Sequence, residues 1–373
     1  MFLKRYTYLL LFVSPFLLAF QDTGLEIDFL SSYYDQDGDN SPVNGGVGSE
    51  ELQSIAPVIV IRYGTASGWN YSANLGTDNV TSASIDAMDD NAGPDDNVSS
   101  ASRLDNRTFV LLGANKKFGK HTWGFNLGFS GEYDYSSISG GFNWSMDFNE
   151  NNTTLATALT HYEDSIDLYS IHGVNEGSDT RTTTDFSLSL TQVLSAKTVG
   201  SVELYMSKQS GFLSSPFQEV ILDDDTHVAE RLPQERQRNG LRLGLNHAFT
   251  SKIIGRSSYR YYDDDFGIKA HTIELEPNFR LPFKRETWVY PILRYHQQSG
   301  SDFYGLPGSF NAENNFYTAD RDLSDITSQK YGMGMRLALT GRHLRRIDVR
   351  STYYTRDDGL NAINLSFGFG WSW

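Results

Sequence analysis

The stretch that most constrains the fold is the last one, Ile363-Asn-Leu-Ser-Phe-Gly-Phe-Gly-Trp-Ser-Trp373. Large apolar residues (Ile363, Leu365, Phe367, Phe369, Trp371 and Trp373) alternate with Asn364, Ser366, Gly368, Gly370 and Ser372. A period of two puts one set on each face of a β-strand. The run matches the roughly 9–11 residues with which a tilted strand crosses a bilayer. Its aromatic end suits the membrane–water interface. A half-buried strand of a soluble sandwich has the same period, so the rest of the chain must decide.

The pattern recurs about every twenty residues from Leu25 onward. It is clear in Ile55–Tyr63, in Trp69–Leu75 and from Thr108 to Phe118. Trp123, Phe125, Leu127, Phe129, Tyr133 and Tyr135 read as one strand, and Ile138, Phe142, Trp144, Met146 and Phe148 as the next. Further segments lie near 153–162, 186–190, 200–206, 241–249, 253–262, 273–279, 287–296, 331–339 and 347–353. With the closing run, about sixteen strands are expected, an even number as in bacterial single-chain barrels. Pro57, Pro277 and Pro291 fall inside these segments and weaken their boundaries.

The connections fall into two classes. Those near 64–68, 119–121, 149–152, 195–197, 250–252, 281–286 and 341–345 are short. Those at 35–52, 79–106, 163–182, 209–238 and 298–329 are long and rich in Asp, Asn, Ser and Gly. Short and long connections fall on opposite ends of the strands, the asymmetry of periplasmic turns against extracellular loops. The expected fold is therefore all-β: a single closed antiparallel transmembrane β-barrel of about 16 strands. Both termini are expected on the periplasmic side of a Gram-negative outer membrane.

Residues 1–20 read as a signal peptide, with Lys4 and Arg5 before an apolar core, and 21–373 as the barrel. Mean hydropathy is −0.42, and no later run approaches the ~18 apolar residues of a transmembrane helix. A barrel tolerates that value because only alternate residues meet lipid. With no cysteine, disulfides and thiolate metal sites are excluded. The net charge of −15 is uneven: residues 1–180 hold 8 Lys/Arg against 24 Asp/Glu, the remainder 23 against 22. No strongly basic domain exists, so nucleic acid is not an expected partner.

Gly211-Phe-Leu-Ser-Ser-Pro-Phe217, Leu232-Pro-Gln-Glu-Arg-Gln-Arg238, Tyr259-Arg-Tyr-Tyr-Asp-Asp-Asp-Phe-Gly267, His271, Arg294-Tyr-His-Gln297 and Asp302-Phe-Tyr304 form an ordered set. Together they resemble an uncharacterised outer-membrane barrel family, domain-of-unknown-function family 3570. The resemblance is sharpest over 200–373. It implies a barrel and brings no activity or catalytic residue. The terminal Phe369, Trp371 and Trp373 likewise resemble the signal read by the barrel-assembly machinery.

The polar partners of the apolar runs are expected to line the lumen. They include Arg242, Arg256, Arg260, Arg280, Arg294, Arg336 and Arg350 late in the chain, and Glu132, Asp134 and Asp147 earlier. Arg294 is placed inward because an arginine facing lipid at mid-strand costs roughly 2–4 kcal/mol. A basic and an acidic wall would face each other across the bore, unless Glu274, Glu276 and Asp348 neutralise the arginines in place. The expected function is a porin-like channel for small polar solutes, with lipid and lipopolysaccharide around it. The alternatives are a plugged barrel that binds or scaffolds, or a hydrolase at the rim built on His161, His227, His247 or His271 with Asp164 or Asp263–Asp265. No cofactor is expected beyond calcium at Asp35, Asp37 and Asp39, whose spacing is similar to short calcium loops although no bidentate Glu follows at the right distance.

Overall fold

The computed structural model describes residues 23–82, 105–170 and 174–373. The expected signal peptide lies outside them. The strands are β1 (Gly24–Asp37), β2 (Leu52–Gly64), β3 (Trp69–Ser82), β4 (Asp105–Phe118), β5 (His121–Gly131), β6 (Tyr135–Phe148), β7 (Thr153–Tyr169), β8 (Asn175–Ser195) and β9 (Thr198–Gly211). Then follow β10 (Glu219–Ile221), β11 (His227–Ala229), β12 (Glu235–Thr250), β13 (Ile253–Asp264), β14 (Lys269–Arg280), β15 (Thr287–Gln298), β16 (Ile326–Ala338), β17 (Leu344–Arg356) and β18 (Asn361–Ser372). Sixteen of them form one closed antiparallel barrel; β10 and β11 make a separate small hairpin in the connection between β9 and β12. The closed sixteen-strand barrel is the architecture read from the alternation.

Closure is made by β1 and β18, paired from Glu26↔Ser372 to Asp37↔Asn361. The outward faces carry the apolar alternates. Phe125 (58% exposed), Leu127 and Met333 are exposed and form part of a band round the barrel. At the end bearing the short turns, aromatic rings stack along the rim, with Phe369 on Trp371 and Trp373 on His343. The three prolines sit within strands after all. Around Pro57 the β2–β3 ladder skips from Ile55↔Asn79 to Val58↔Gly76. Around Pro277 and Pro291 the β14–β15 ladder skips from Leu275↔Leu293 to Phe279↔Val289. Each skip leaves the register unchanged, so a missing N–H costs a ladder bond without slipping the strand.

Two boundaries differ from the sequence reading. The connection expected at 163–182 is mostly strand: β7 and β8 continue to Leu168↔Gly177. A buried ion pair between Arg181 and Asp164 (2.6 Å) holds this extension together. The strand expected to run from Trp123 through Tyr135 ends at Gly131. Tyr133 lies in the turn and Tyr135 opens β6 on the inward face, where its hydroxyl accepts from Arg181.

At the end bearing the long loops, four connections (β1–β2, β9–β12, β13–β14 and β15–β16) fold on one another as a cap. Val220, Leu222, Tyr317 and Ala319 form one buried cluster, with Val228 and Phe310 against it. Leu232, Phe266, Ile268 and Leu323 form a second. Backbone bonds Tyr317 N to Arg231 O (2.8 Å), Gly308 N to Ile221 O (2.9 Å) and Asp223 N to Phe310 O (2.8 Å) stitch the β9–β12 connection to the β15–β16 connection. The β1–β2 loop meets them from across the bore. Gly45, at φ +69°, presses against Ile221, and a Cβ there would stand 2.6 Å from the isoleucine side chain. In the strand order β1–β2 and β9–β12 lie about half a circuit apart, so this contact spans the mouth.

Two outcomes follow from the seam and the cap. Deleting Trp373 removes its backbone bonds to Leu25 (2.9 and 3.3 Å) and its ring contact with His343, and is expected to deplete heat-modifiable barrel from the outer membrane; an unchanged yield would contradict a closing role. Replacing Val220, 1% exposed, with Asp buries a charge among apolar side chains, at a cost of several kcal/mol. Limited proteolysis should then cut within 212–234 and 299–325 while the barrel itself stays folded.

Candidate functional site

The inward faces of β12–β17 carry most of the arginines singled out from the sequence. Alternation sets Leu241, Leu243 and Leu245 outward and so Arg242 inward. It does the same for Arg256 and Arg260 on β13, Arg294 on β15, Arg336 on β16 and Arg350 on β17. Arg280 is the last residue of β14, exposed at the turn end.

Near the turn end the basic groups are paired. Asp28 on β1 takes Arg62 (2.7 Å) and Arg346 (2.9 Å), and Asp348 takes Arg346 (2.7 Å) and Arg336 (2.5 Å). Glu276 is shared by Arg256 (3.2 Å) and Arg350 (3.5 Å). Gly334 makes the second contact possible. The Tyr290 ring lies where a Cβ at Gly334 would be (2.2 Å), and Arg350 crosses that ring at 5.8 Å to reach Glu276. Glu276 and Asp348 thus neutralise arginines of this wall, the alternative left open by the sequence.

At mid-wall the pattern changes. Arg242 stands directly opposite Arg260, and Arg294 directly opposite Lys330. Glu203 reaches Arg242 only at 4.0 Å. Glu274 is opposite Arg294 in register, yet among the described residues neither Arg294 nor Lys330 has a carboxylate within 4.0 Å. Arg260 lies within charge reach of Arg242, Arg294, Glu203 and Glu274. One step toward the cap, His296 Nδ1 meets the Thr272 hydroxyl at 2.8 Å and Nε2 meets Gln298 at 3.3 Å.

The facing wall is polar rather than acidic. On β5 and β6, Asn143 lies over Gly124 and Asn126 over Gly141, at distances that leave no room for a Cβ. Asn70 donates to Asn115 at 3.1 Å. Asp147 is on this wall but is held by Lys117 (2.6 Å) and Thr154 (2.8 Å). Glu132 and Asp134, expected in the wall, belong instead to the 132–134 turn at the loop end. There Glu132 faces Arg107 (3.8 Å), and the Asp134 carbonyl accepts from Asp167 N–H (2.8 Å). The strand that was to carry them stops at Gly131, so they sit in the turn that joins β5 to β6 rather than in a strand of the wall. Much of the acidity counted in residues 1–180 thus sits in connections and in local pairs.

The remaining candidates are dispersed. Asp35 is on the outward face of β1, where Tyr33 (3.2 Å) and Gln53 (3.4 Å) donate to it. Asp37 closes that strand and Asp39 follows it. Among the described residues no three His, Asp or Glu side chains converge as metal ligands. His161 bonds Thr184, His227 bonds Glu219, His247 bonds Thr198 and His271 bonds Tyr259. Asp164 is committed to Arg181. Sequence reasoning missed Lys330, Glu203 and His296, although each has the inward parity of its strand; Lys330 directly precedes the Tyr331-Gly-Met-Gly-Met335 alternation.

Comparison with known proteins places this geometry. The family model described as a protein of unknown function, DUF3570, matches residues 18–366. A solved structure described as a bacterial polysaccharide outer membrane secretin superposes with a TM-score of 0.53 at 10% identity, covering 94% of this chain and 98% of that one. CdiB from Acinetobacter baumannii superposes with a TM-score of 0.52 at 10% identity, over 93% of this chain and 60% of that one. At such identities the likeness concerns the fold alone, that of an outer-membrane barrel. No curated protein matches the sequence.

An arginine joins Gln298, which donates to Asp322 O and Ser324 O, in tying the cap to the wall. Arg356, its side chain 1% exposed, pairs with Asp322 of the cap and with Asp358 of the β17–β18 turn. Burial disfavours the charged form of Asp358. The Arg356 guanidinium and the Leu360 N–H outweigh it and hold the carboxyl below its ordinary range. A carboxyl with a lowered folded-state pKa contributes stability above its unfolded value of about 3.9, and that contribution is lost as pH falls through the folded value. Protease protection of 299–325 should therefore persist from neutral pH down to the carboxylate range and fail below it. Asp358→Asn should weaken protection already at neutral pH; a variant indistinguishable from wild type there would dismiss this role of the arginine.

Proposed function

For a member of the DUF3570 family, which this chain is, no activity is inherited, and we propose from its own geometry that it is a porin-like outer-membrane channel for small polar solutes, with a basic wall that favours anions. In this reading the short turns and both termini face the periplasm, and the cap faces the outside. The observation that carries it is the mid-wall belt of Arg242, Arg260, Arg294 and Lys330 on the inward faces of β12, β13, β15 and β16. Barrels of 16–18 strands have room for an aqueous channel. Cations kept on the inward side of such a wall, with carboxylates too few or too far to cancel them, bias what enters. The facing wall is rich in Asn, Ser and Gly that offer hydrogen bonds, and its Asp147 is paired with Lys117. Water in the bore screens charge over about 8 Å at physiological salt, so the bias acts where the cap or long side chains narrow the path.

The cap supports a second reading. Loops with their own buried clusters, meeting across the mouth, suit a barrel that is closed at rest and serves as a binding or scaffold component of an envelope assembly. Conductance separates the two. Purified protein in planar bilayers should show single-channel steps, with a reversal potential in a salt gradient that marks anion preference. Neutralising Arg260, Arg294 and Arg336 together should move it toward cations, the more so because removing Arg336 leaves Asp348 with one fewer partner. A silent but folded protein would favour the closed barrel. A conducting triple variant with unaltered selectivity would remove the charge-bias reading.

A further inference from the structure

The mid-wall cations differ from the other basic groups of the bore in what faces them. In the turn-end half Arg62, Arg256, Arg336, Arg346 and Arg350 each contact a carboxylate. At mid-wall two like-charged pairs stand in direct cross-strand register, Arg242 with Arg260 and Arg294 with Lys330. Directly opposed residues have Cβ atoms about 4.5–5.5 Å apart, and like charges so placed destabilise a sheet. In this belt Glu203 lies 4.0 Å from Arg242 and Glu274 is opposite Arg294 in register, and among the described residues no carboxylate comes within 4.0 Å of Arg294 or Lys330.

Resting on the channel reading only for the route by which a solute arrives, we propose that this belt is a binding site for a small multivalent oxyanion, seated on Arg294 and Lys330 with Arg260 and Arg242 beside it. A guanidinium presents a planar fork that matches the two oxygens of a carboxylate or phosphate, and an ammonium adds a compact point charge. Two cations in cross-strand register favour an anion with at least two negative charges over chloride. Neutral donors stand close by. Thr272 is opposite Arg260 and bonded to His296, and Tyr354 is opposite Lys330. Glu203 and Glu274 flank the belt and limit its net charge, which keeps binding weak enough for release toward either side.

The test is titration calorimetry on the purified full-length barrel in detergent, with phosphate, pyrophosphate and citrate as probes at constant chloride. Current through planar bilayers is recorded with the same probes. Saturable binding of at least one probe is expected, together with block of the current. Arg294→Gln and Lys330→Gln should each weaken binding by about tenfold or more. Arg285→Gln, an equal charge change in the β14–β15 turn, should not weaken it. Arg294→Lys, which keeps the charge and loses the fork, should bind more weakly than wild type and better than Arg294→Gln. Heat-modifiability checks that each variant is folded. Binding of phosphate and pyrophosphate alone identifies a phosphate ligand; binding of citrate alone identifies a polycarboxylate. Saturable binding by a protein that does not conduct would sustain the site and end the channel reading. Conductance with no saturable binding of any probe, or an equal loss in Arg285→Gln, would overturn the site and leave the channel reading standing.

Discussion

A strand within a bilayer has no water to satisfy its N–H and C=O groups, so every one needs a partner in the next strand and the sheet must return to its first member. Here that return is the β1–β18 seam, in which the last strand pairs over nearly its whole length with the first. The rest of the structure depends on this closure. It sends every second side chain to lipid and its neighbours to the bore, and so converts a period of two in sequence into two chemically opposite surfaces. It also explains why prolines are tolerated at Pro57, Pro277 and Pro291. Each leaves a gap on one ladder while pairing on the other side preserves the register.

Inside the barrel, charge is distributed by register rather than by sequence neighbourhood. Arg336 and Asp348 are 12 residues apart and meet because β16 and β17 are adjacent; Arg346 and Asp28 are 318 apart and meet across the seam strands. The same rule produces opposed cations at Arg242–Arg260 and Arg294–Lys330. The inward face is thereby graded: a cross-linked zone of ion pairs near the turns, a belt of opposed cations flanked by Glu203 and Glu274 at mid-wall, and a folded cap at the loop end. A solute coming from the cap would meet the belt before the paired zone.

The cap is the part that resembles an ordinary globular protein. Its apolar clusters are buried against one another, while many of the large apolar residues of the barrel are exposed to lipid. Loops of this length need not have folded together. Those of this chain do so because a few apolar residues, Val220, Leu222, Tyr317 and Ala319 among them, sit inside otherwise polar connections. A polar composition hid them, since four residues spread over a hundred positions give no periodicity to read.

Alternation alone determined that this chain forms a closed barrel of about sixteen strands, because lipid and water impose opposite chemistry on successive residues and the pattern survives in the sequence. Parity also set Arg242, Arg260 and Arg294 on the inward faces of their strands. Only the tertiary structure decided which charges cancel. Pairing depends on the register between strands, and that register gave Arg336 and Arg256 carboxylates while leaving Arg294 beside Lys330. It also decided that Glu132 and Asp134 lie in a turn, since β5 ends at Gly131 rather than four residues later. The loop contact across the mouth likewise belongs to the tertiary structure, because Gly45 and Ile221 are remote in sequence and meet only when opposite sides of the ring bring their loops together.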